Sequence, residues 1–311
     1  MSRRRPIHVL PGVYRASELI DAGVSADRLR AHDVRRIGRG LVIHPEYEYD
    51  HFAYRDRCVA IGQTLRPEHF LSRRSAAAVY GIPCPIPPGG RVDVASFSPH
   101  RAPRHRLIAG HRVKPGGLHW TEHDGITLPT PADVWCQLAS VIAFRELVAA
   151  GDFLISGRRT LDGTGGRTPP LCTARDLELA RSRHRNTLGA PVRQRALPLL
   201  RAPVDSPPES YIRLIIREAG FDEPLVACPV PTWERVLHAD LGYPELRIAI
   251  EYEGAHHFSS ERQVRRDAIR RKQMARAGWT VILAMDDDVA DPASFIGALG
   301  HAVESALGNP P

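Results

Sequence analysis

The sequence predicts a mixed α/β (α+β) protein built from more than one domain, and three observations carry that expectation. Near the N-terminus a helix, a tight turn, a second helix and a basic hairpin follow one another. Residues 91–127 read as strands, with Val92-Asp93-Val94-Ala95 alternating and Gly and Pro punctuating the rest. The last hundred residues run helix, three strands, helix, strand, helix.

The 311 residues leave room for two ordinary domains and a linker. With 43% hydrophobic and 25% charged residues, the composition excludes wholesale disorder. No apolar run approaches the roughly 20 residues that span a bilayer, and the charged opening Met1–Pro6 is no export leader. A cytoplasmic protein with no membrane partner is expected. The five cysteines are scattered and form no CxxC pair, which argues against a zinc knuckle or a disulfide framework. A net charge of +7 suits a polyanionic partner. Lys114 and Lys272 are the only lysines, so a catalytic lysine has few places to be.

The elements follow in order. A short helix over Ser17–Ala22 breaks at Gly23, and Ser25 caps a second helix running to about Val34 with Leu29 inward. Arg35–Gly40 then lead into the apolar run Leu41–Ile43 as a wing. This is winged helix-turn-helix order, and Arg28, Arg30, Arg35, Arg36 and Arg39 are its candidate DNA contacts. Helices are expected over Tyr54–Leu65, over Arg74–Tyr80 capped by Ser72, and as one stretch over Pro131–Ile155. His119-Trp120-Thr121-Glu122-His123 fits a metalloprotease pattern, but Gly116-Gly117 and Asp124-Gly125 around it predict a strand and turn. Ser156–Pro170, rich in Gly and Pro, reads as a linker, with helices over Thr173–Arg185 and Ala190–Leu200 after it. The expected domains are 1–50, a winged helix; 51–155, mixed α/β; 156–205, linker and connecting helices; and 206–311, a mixed sheet flanked by helices.

The chemistry concentrates in the last of these. Ser206-Pro207-Pro208 starts a helix that carries Glu209. In Val236–Leu241, period two puts His238 and Asp240 on one face and Leu237, Ala239 and Leu241 on the other. In Arg247–Glu253 it puts Glu251 and Glu253 opposite Ile248, Ile250 and Tyr252. Asp240 and Glu251 on adjacent strands would face like charge to like charge, which costs energy unless a cation intervenes. Oxygen ligands suit Mg²⁺, with Mn²⁺ as a substitute. His257 follows closely and could transfer a proton or contact phosphate. The helix over Ser260–Ala277 carries Arg265, Arg266, Arg270 and Arg271 as a basic stripe, with Asp267 one turn from the last two.

These residues resemble the very-short-patch-repair-like branch of the PD-(D/E)XK nuclease superfamily. The resemblance rests on Glu209, Asp240, Glu251-x-Glu253-Gly254-x-x-His257, Asp267-x-x-Arg270 and Gly278-Trp279, over roughly the last third of the chain. It implies a restriction-endonuclease-like core in which Asp240 and Glu251 bind the metal and Glu209 supports it. The superfamily's usual lysine is replaced by Glu253, so the base stays open between Glu253, a metal-bound water and His257. More loosely, residues 8–155 resemble AbiEi-type (type IV) antitoxin proteins, through the winged-helix segment, Leu71–Ala78 and Leu128–Pro131. That resemblance implies a DNA-binding N-terminal part and a toxin or operon partner protein.

Two functions are therefore expected to compete. One is a DNA-binding, metal-dependent endonuclease of defence, toxin–antitoxin or repair systems. The other is a non-catalytic DNA-binding regulator or antitoxin on a degenerate nuclease fold. RNA as the substrate is a weaker variant of the first.

Overall fold

The computed structural model describes residues 7–9, 12–36, 40–45, 54–160, 166–254 and 261–308. Its helices and four separate sheets make it an α+β protein. The chain divides into two compact units, Met1–Ile142 with Arg175–Pro191, and Ala143–Ala174 with Val192–Pro311.

In the first unit, β1 (Val13–Arg15) runs directly into α1 (Ala16–Asp21). Glu18 accepts the Arg15 N–H at 2.8 Å and closes the first turn. Ser25 caps α2 (Ala26–Leu29) by accepting from the Arg28 N–H at 3.2 Å. That helix is one turn long and does not continue to Val34 as expected. Leu29 is its only buried residue, and both terminal nitrogens of Arg28 grip Asp33 beyond the helix end, at 3.0 and 2.9 Å. β2 (Arg35–Arg36) and β3 (Leu41–Ile43) pair antiparallel, and β1 joins the far side of β3. Ile7, Leu19, Leu29, Val34 and Val42 form the core of this module. Val13 and Ile43 also pack on Ala60 of α3 (Tyr54–Gly62).

The unit continues through β4 (His69–Leu71), α4 (Arg73–Tyr80), β5 (Val92–Phe97) and β6 (Ile108–Val113). The sheet order is β4-β5-β6, with β5 and β6 parallel and β6 at the edge. Ser72 precedes α4 but makes no capping bond to it; its hydroxyl instead meets His111 Nε2 at 3.1 Å. β7 (Trp120–His123) and β8 (Ile126–Pro129) form a hairpin around Asp124 and Gly125. Both turn residues have positive φ, 51° and 68°, the backbone that twisted hairpins require. The His119–His123 pattern thus runs along a strand and has no helix to place both histidines on one face.

Thr130 caps α5 (Pro131–Leu138). The single helix expected over 131–155 is broken after Leu138, and Glu146 accepts the Ala143 N–H at 2.7 Å to begin α6 (Phe144–Ser156). α7 (Ala174–Arg183) and α8 (Ala190–Ala196) follow. Buried Asp133 of α5 holds the end of α7 through Arg183 at 2.9 Å and His184 at 2.8 Å.

The second unit orders α9 (Pro207–Glu218), β9 (Leu225–Pro231), β10 (Val236–Tyr243), β11 (Ile248–Glu253), α10 (Glu261–Arg276) and β12 (Thr280–Met285). α11 (Asp286–Ala290) and α12 (Ala293–Gly308) close it. Its sheet runs β12-β11-β10-β9, with β11 and β12 parallel and the other pairs antiparallel. One face packs Ile248, Ile250 and Leu241 against Ile212 and Ile216 of α9 and Phe295 and Leu299 of α12. The other packs Ala249, Ala239 and Leu237 against Met274 of α10. α6 joins this unit through Asp152, which accepts from Arg213 at 2.8 Å with both side chains 0% exposed. No described helix is long and apolar enough to cross a membrane.

Candidate functional site

The centre of the second unit's sheet is a fork. β10 and β11 pair from Tyr243↔Ile248 to Leu241↔Ile250, and the ladder ends there. The next positions in register are Asp240 and Glu251. The Asp240 carboxylate accepts the Tyr252 N–H at 2.8 Å, where a paired strand would offer a carbonyl. On the other side of β10 the ladder to β9 also skips Asp240, opposite Ala227, whose φ is 46°. Backbone strain of this kind persists only when its surroundings enforce it.

This break changes the expected alternation. Leu237 and Ala239 pack toward α10, but Leu241 packs toward α9 and α12, so the apolar side of β10 switches at Asp240. On β11 the alternation holds: Ile248, Ile250 and Tyr252 pack on the α9 and α12 side. Glu251 and Glu253 both meet α10.

Glu209 and Glu251 are buried, at 8% and 7% exposure, and Asp240 is half-buried. Burial, and then the charge of Asp240, push Glu209 up to about 8 and Glu251 up to about 7. Burial raises Asp240 as well, against the lowering effects of the Tyr252 N–H and the Arg270 charge. Asp240 is thus electrically adjacent to both glutamates. Each acid also has local donors. Glu209 takes the Ser206 hydroxyl at 2.8 Å and the Asp205 N–H at 3.0 Å, the bonds of a helix-start glutamate. Glu251 Oε2 takes Arg270 at 2.9 Å, while its buried Oε1 has no partner. Among the described residues, no three His, Cys, Asp or Glu side chains converge as a ready ion-holding group. The donor set still suits a hard divalent cation, because it is all carboxylate oxygen, mutually repelling, with one buried oxygen unpartnered.

Arg270 lies in the fork. One terminal nitrogen meets Glu251 on β11 and the other meets the His238 carbonyl on β10. Arg271 pairs with Glu253. Two of the four arginines expected to face phosphate are therefore engaged with the acids, while Arg265 and Arg266 are exposed. His257 and Arg39 lie outside the described residues. In the N-terminal module Arg28 is held by Asp33, Arg30 pairs with Asp27 at 2.7 Å, and Arg36 donates to the Leu29 carbonyl at 2.8 Å. Arg30, Arg35 and Arg36 are exposed on the module's surface.

Two charged residues near the site do not stand out in the sequence. Asp205 raises Asp240 further, and Arg159 lowers it. They pair with each other at 3.5 Å. Asp205 could have been noticed, four residues before Glu209; Arg159 sits in the Gly- and Pro-rich stretch and carries no local signal.

No family model matches the chain. Two uncharacterized proteins of Mycobacterium tuberculosis, from strains CDC 1551 / Oshkosh and ATCC 25618 / H37Rv, are each 26% identical over 119 residues. The match covers 38% of this chain and 44% of each relative, so less than half of those proteins is spanned.

Proposed function

We propose that the second unit hydrolyses phosphodiester bonds in DNA, in a cytoplasmic protein whose winged module docks on the duplex. The observation that carries this reading is the fork, where the charge of Asp240 acts on two buried glutamates and one buried oxygen of Glu251 has no partner. Asp240 and Glu251 would hold Mg²⁺ or Mn²⁺, with Glu209 supporting from α9. Such an ion polarises a phosphoryl oxygen and lowers the pKa of a bound water. The unpartnered Glu251 Oε1 could meet the ion, whose charge would compete with Arg270 for the same carboxylate and so release that guanidinium toward the phosphate. Glu253, in the place of the superfamily's lysine, and His257 are the protein's candidates for moving the proton. The test is cleavage of duplex and single-stranded DNA, with RNA in parallel, by wild type, Asp240→Ala and Glu251→Ala with Mg²⁺ or Mn²⁺. Metal-dependent cleavage lost in both variants supports the reading. Equal cleavage by all three, or none on any substrate, overturns it.

One observation favours a second reading. The arginines of α10 already neutralise Glu251 and Glu253, and Glu209 serves its own helix start. A non-catalytic regulator or antitoxin, working with a toxin or operon partner, would need nothing more from these acids. It predicts binding to its own promoter that Glu251→Ala leaves unchanged, and no Mn²⁺ uptake by calorimetry.

A further inference from the structure

A second charged site lies in the first unit. From Val94 to Thr121 the chain has no Asp or Glu, yet it carries Arg101, Arg104, Arg106, Arg112 and Lys114. The fold gathers part of this charge. The chain after β5 turns back along edge strand β6, so closely that a Cβ on Gly110 would lie 2.3 Å from the Pro103 carbonyl oxygen. Only glycine admits that approach. The loop is pinned by the His100 N–H on the Phe97 carbonyl at 2.8 Å, by Ser96 Oγ on the His100 carbonyl at 3.2 Å, and by His69 Nε2 at the Arg101 carbonyl, also 3.2 Å.

Between loop and strand is a cavity of about 740 Å³ lined by Arg101, Ala102, Pro103, Arg104, Gly110 and Arg112. Among the described residues no carboxylate pairs with any of its three arginines. Of the acids on neighbouring segments, Asp93 of β5 feels the charges of Arg73, Arg74 and Arg91, Glu68 pairs with Arg66 at 3.9 Å, and Asp124 pairs with Arg55 at 2.5 Å. Three uncompensated guanidinium groups around one cavity repel one another unless an anion joins them. The lining has no aromatic or long aliphatic anchor for an apolar ligand. Planar guanidinium forks match phosphate oxygens two at a time.

We propose that this cavity is a phosphate-binding site, filled either by the backbone of a nucleic acid or by a phosphorylated small molecule. The site is independent of the acidic fork and stands whether or not the fork cleaves DNA. The experiment uses the full chain and compares wild type with the triple variant Arg101→Gln/Arg104→Gln/Arg112→Gln. Arg175→Gln/Arg185→Gln/Arg195→Gln, three exposed residues outside the cavity lining, is the charge-matched control. Labelled duplex DNA is titrated by fluorescence anisotropy over a salt series, and pyrophosphate by calorimetry.

If DNA supplies the phosphates, the triple variant lowers the log–log salt slope by about one per arginine and weakens binding on the order of 10²-fold at 0.1 M salt. The control changes far less. If a small molecule supplies them, wild type binds pyrophosphate, the triple variant does not, and DNA affinity is unchanged. Gly110→Ala keeps every charge but forces the loop off the strand, so it lowers the same binding, and unchanged binding would overturn the cavity as the site. The proposal is overturned if wild type binds neither probe, or if the triple variant and the control behave alike.

Discussion

Glu209, at about 8, and Glu251, at about 7, stand well above the ordinary glutamate value of 4.5, and both share their field with Asp240. A carboxyl raised by folding favours the fold fully below its unfolded value and loses that contribution as pH climbs through the folded value. The metal-free protein should therefore lose stability between about pH 5 and pH 8 on account of these groups. Asp240→Asn can still accept the Tyr252 N–H while removing the repelling charge. We expect it to be more stable than wild type above pH 7 by about 1–2 kcal/mol, with a flatter pH profile. Mg²⁺ should raise the melting temperature of wild type at pH 8 and leave that of the variant unmoved; equal pH profiles would contradict the electrostatic account. Arg270→Ala bears on the same acids. It leaves Glu251 without its cation, so the metal-free fold should weaken by about 2 kcal/mol while Mn²⁺ affinity by calorimetry rises. A fall in Mn²⁺ affinity would mean that Arg270 does not compete for the ion's place. Glu209, Glu251 and Glu253 stand where a helix start and period two put them, whereas Asp240 stands where the alternation of β10 breaks. The engagement of Arg270 with Glu251 was not legible in the sequence, since it depends on how α10 lies across β11, nineteen residues away in the chain.

At the scale of elements, the sequence predicts the order from α9 to β12, because Gly220, Pro244, Gly254 and Gly278 punctuate strong apolar periods, but it expects one closing helix where α11 and α12 stand. Besides the helix over 131–155, which breaks after Leu138, two elements departed from their pattern for local reasons. α2 stops after one turn, where Arg28 turns to Asp33 rather than to the next helical turn. β10 changes its buried side at Asp240, where Ala227 across the ladder adopts a left-handed backbone that no alternation rule encodes. If that conformation is enforced by the fork, Ala227→Gly should relieve it and raise stability by up to about 1 kcal/mol, as chemical denaturation would report. Gly242 is the opposite case. A Cβ there would sit 2.6 Å from the Ile248 carbonyl oxygen and 2.8 Å from Cys228 Sγ. Gly242→Ala should therefore prise β10 from its neighbours and cost about 2 kcal/mol or more. An unchanged denaturation midpoint would show that the strands give way cheaply.

For the whole molecule, the C-terminal unit needs a helix that sequence reading groups with the middle segment. Asp152 of α6 accepts from Arg213, from the Ser210 hydroxyl and from the Arg201 N–H, at 2.8, 2.7 and 2.7 Å. No local pattern announces a pairing across 61 residues. A fragment of residues 206–311 strands Arg213 without that carboxylate and should show little cooperative unfolding by circular dichroism, whereas 143–311 should melt cooperatively. In the full chain Asp152→Ala should cost about 3 kcal/mol or more, the penalty for breaking one side of a buried pair.

The backbone passes from one unit to the other three times, after Ile142, after Ala174 and after Pro191. A cut near residue 170 would therefore give two polypeptides that each hold part of both cores. Expressed from separate genes, such halves have reason to find each other and rebuild both units. The protein is thus suited to fragment complementation, in which reassembly itself becomes the readout of whether two tethered molecules have met.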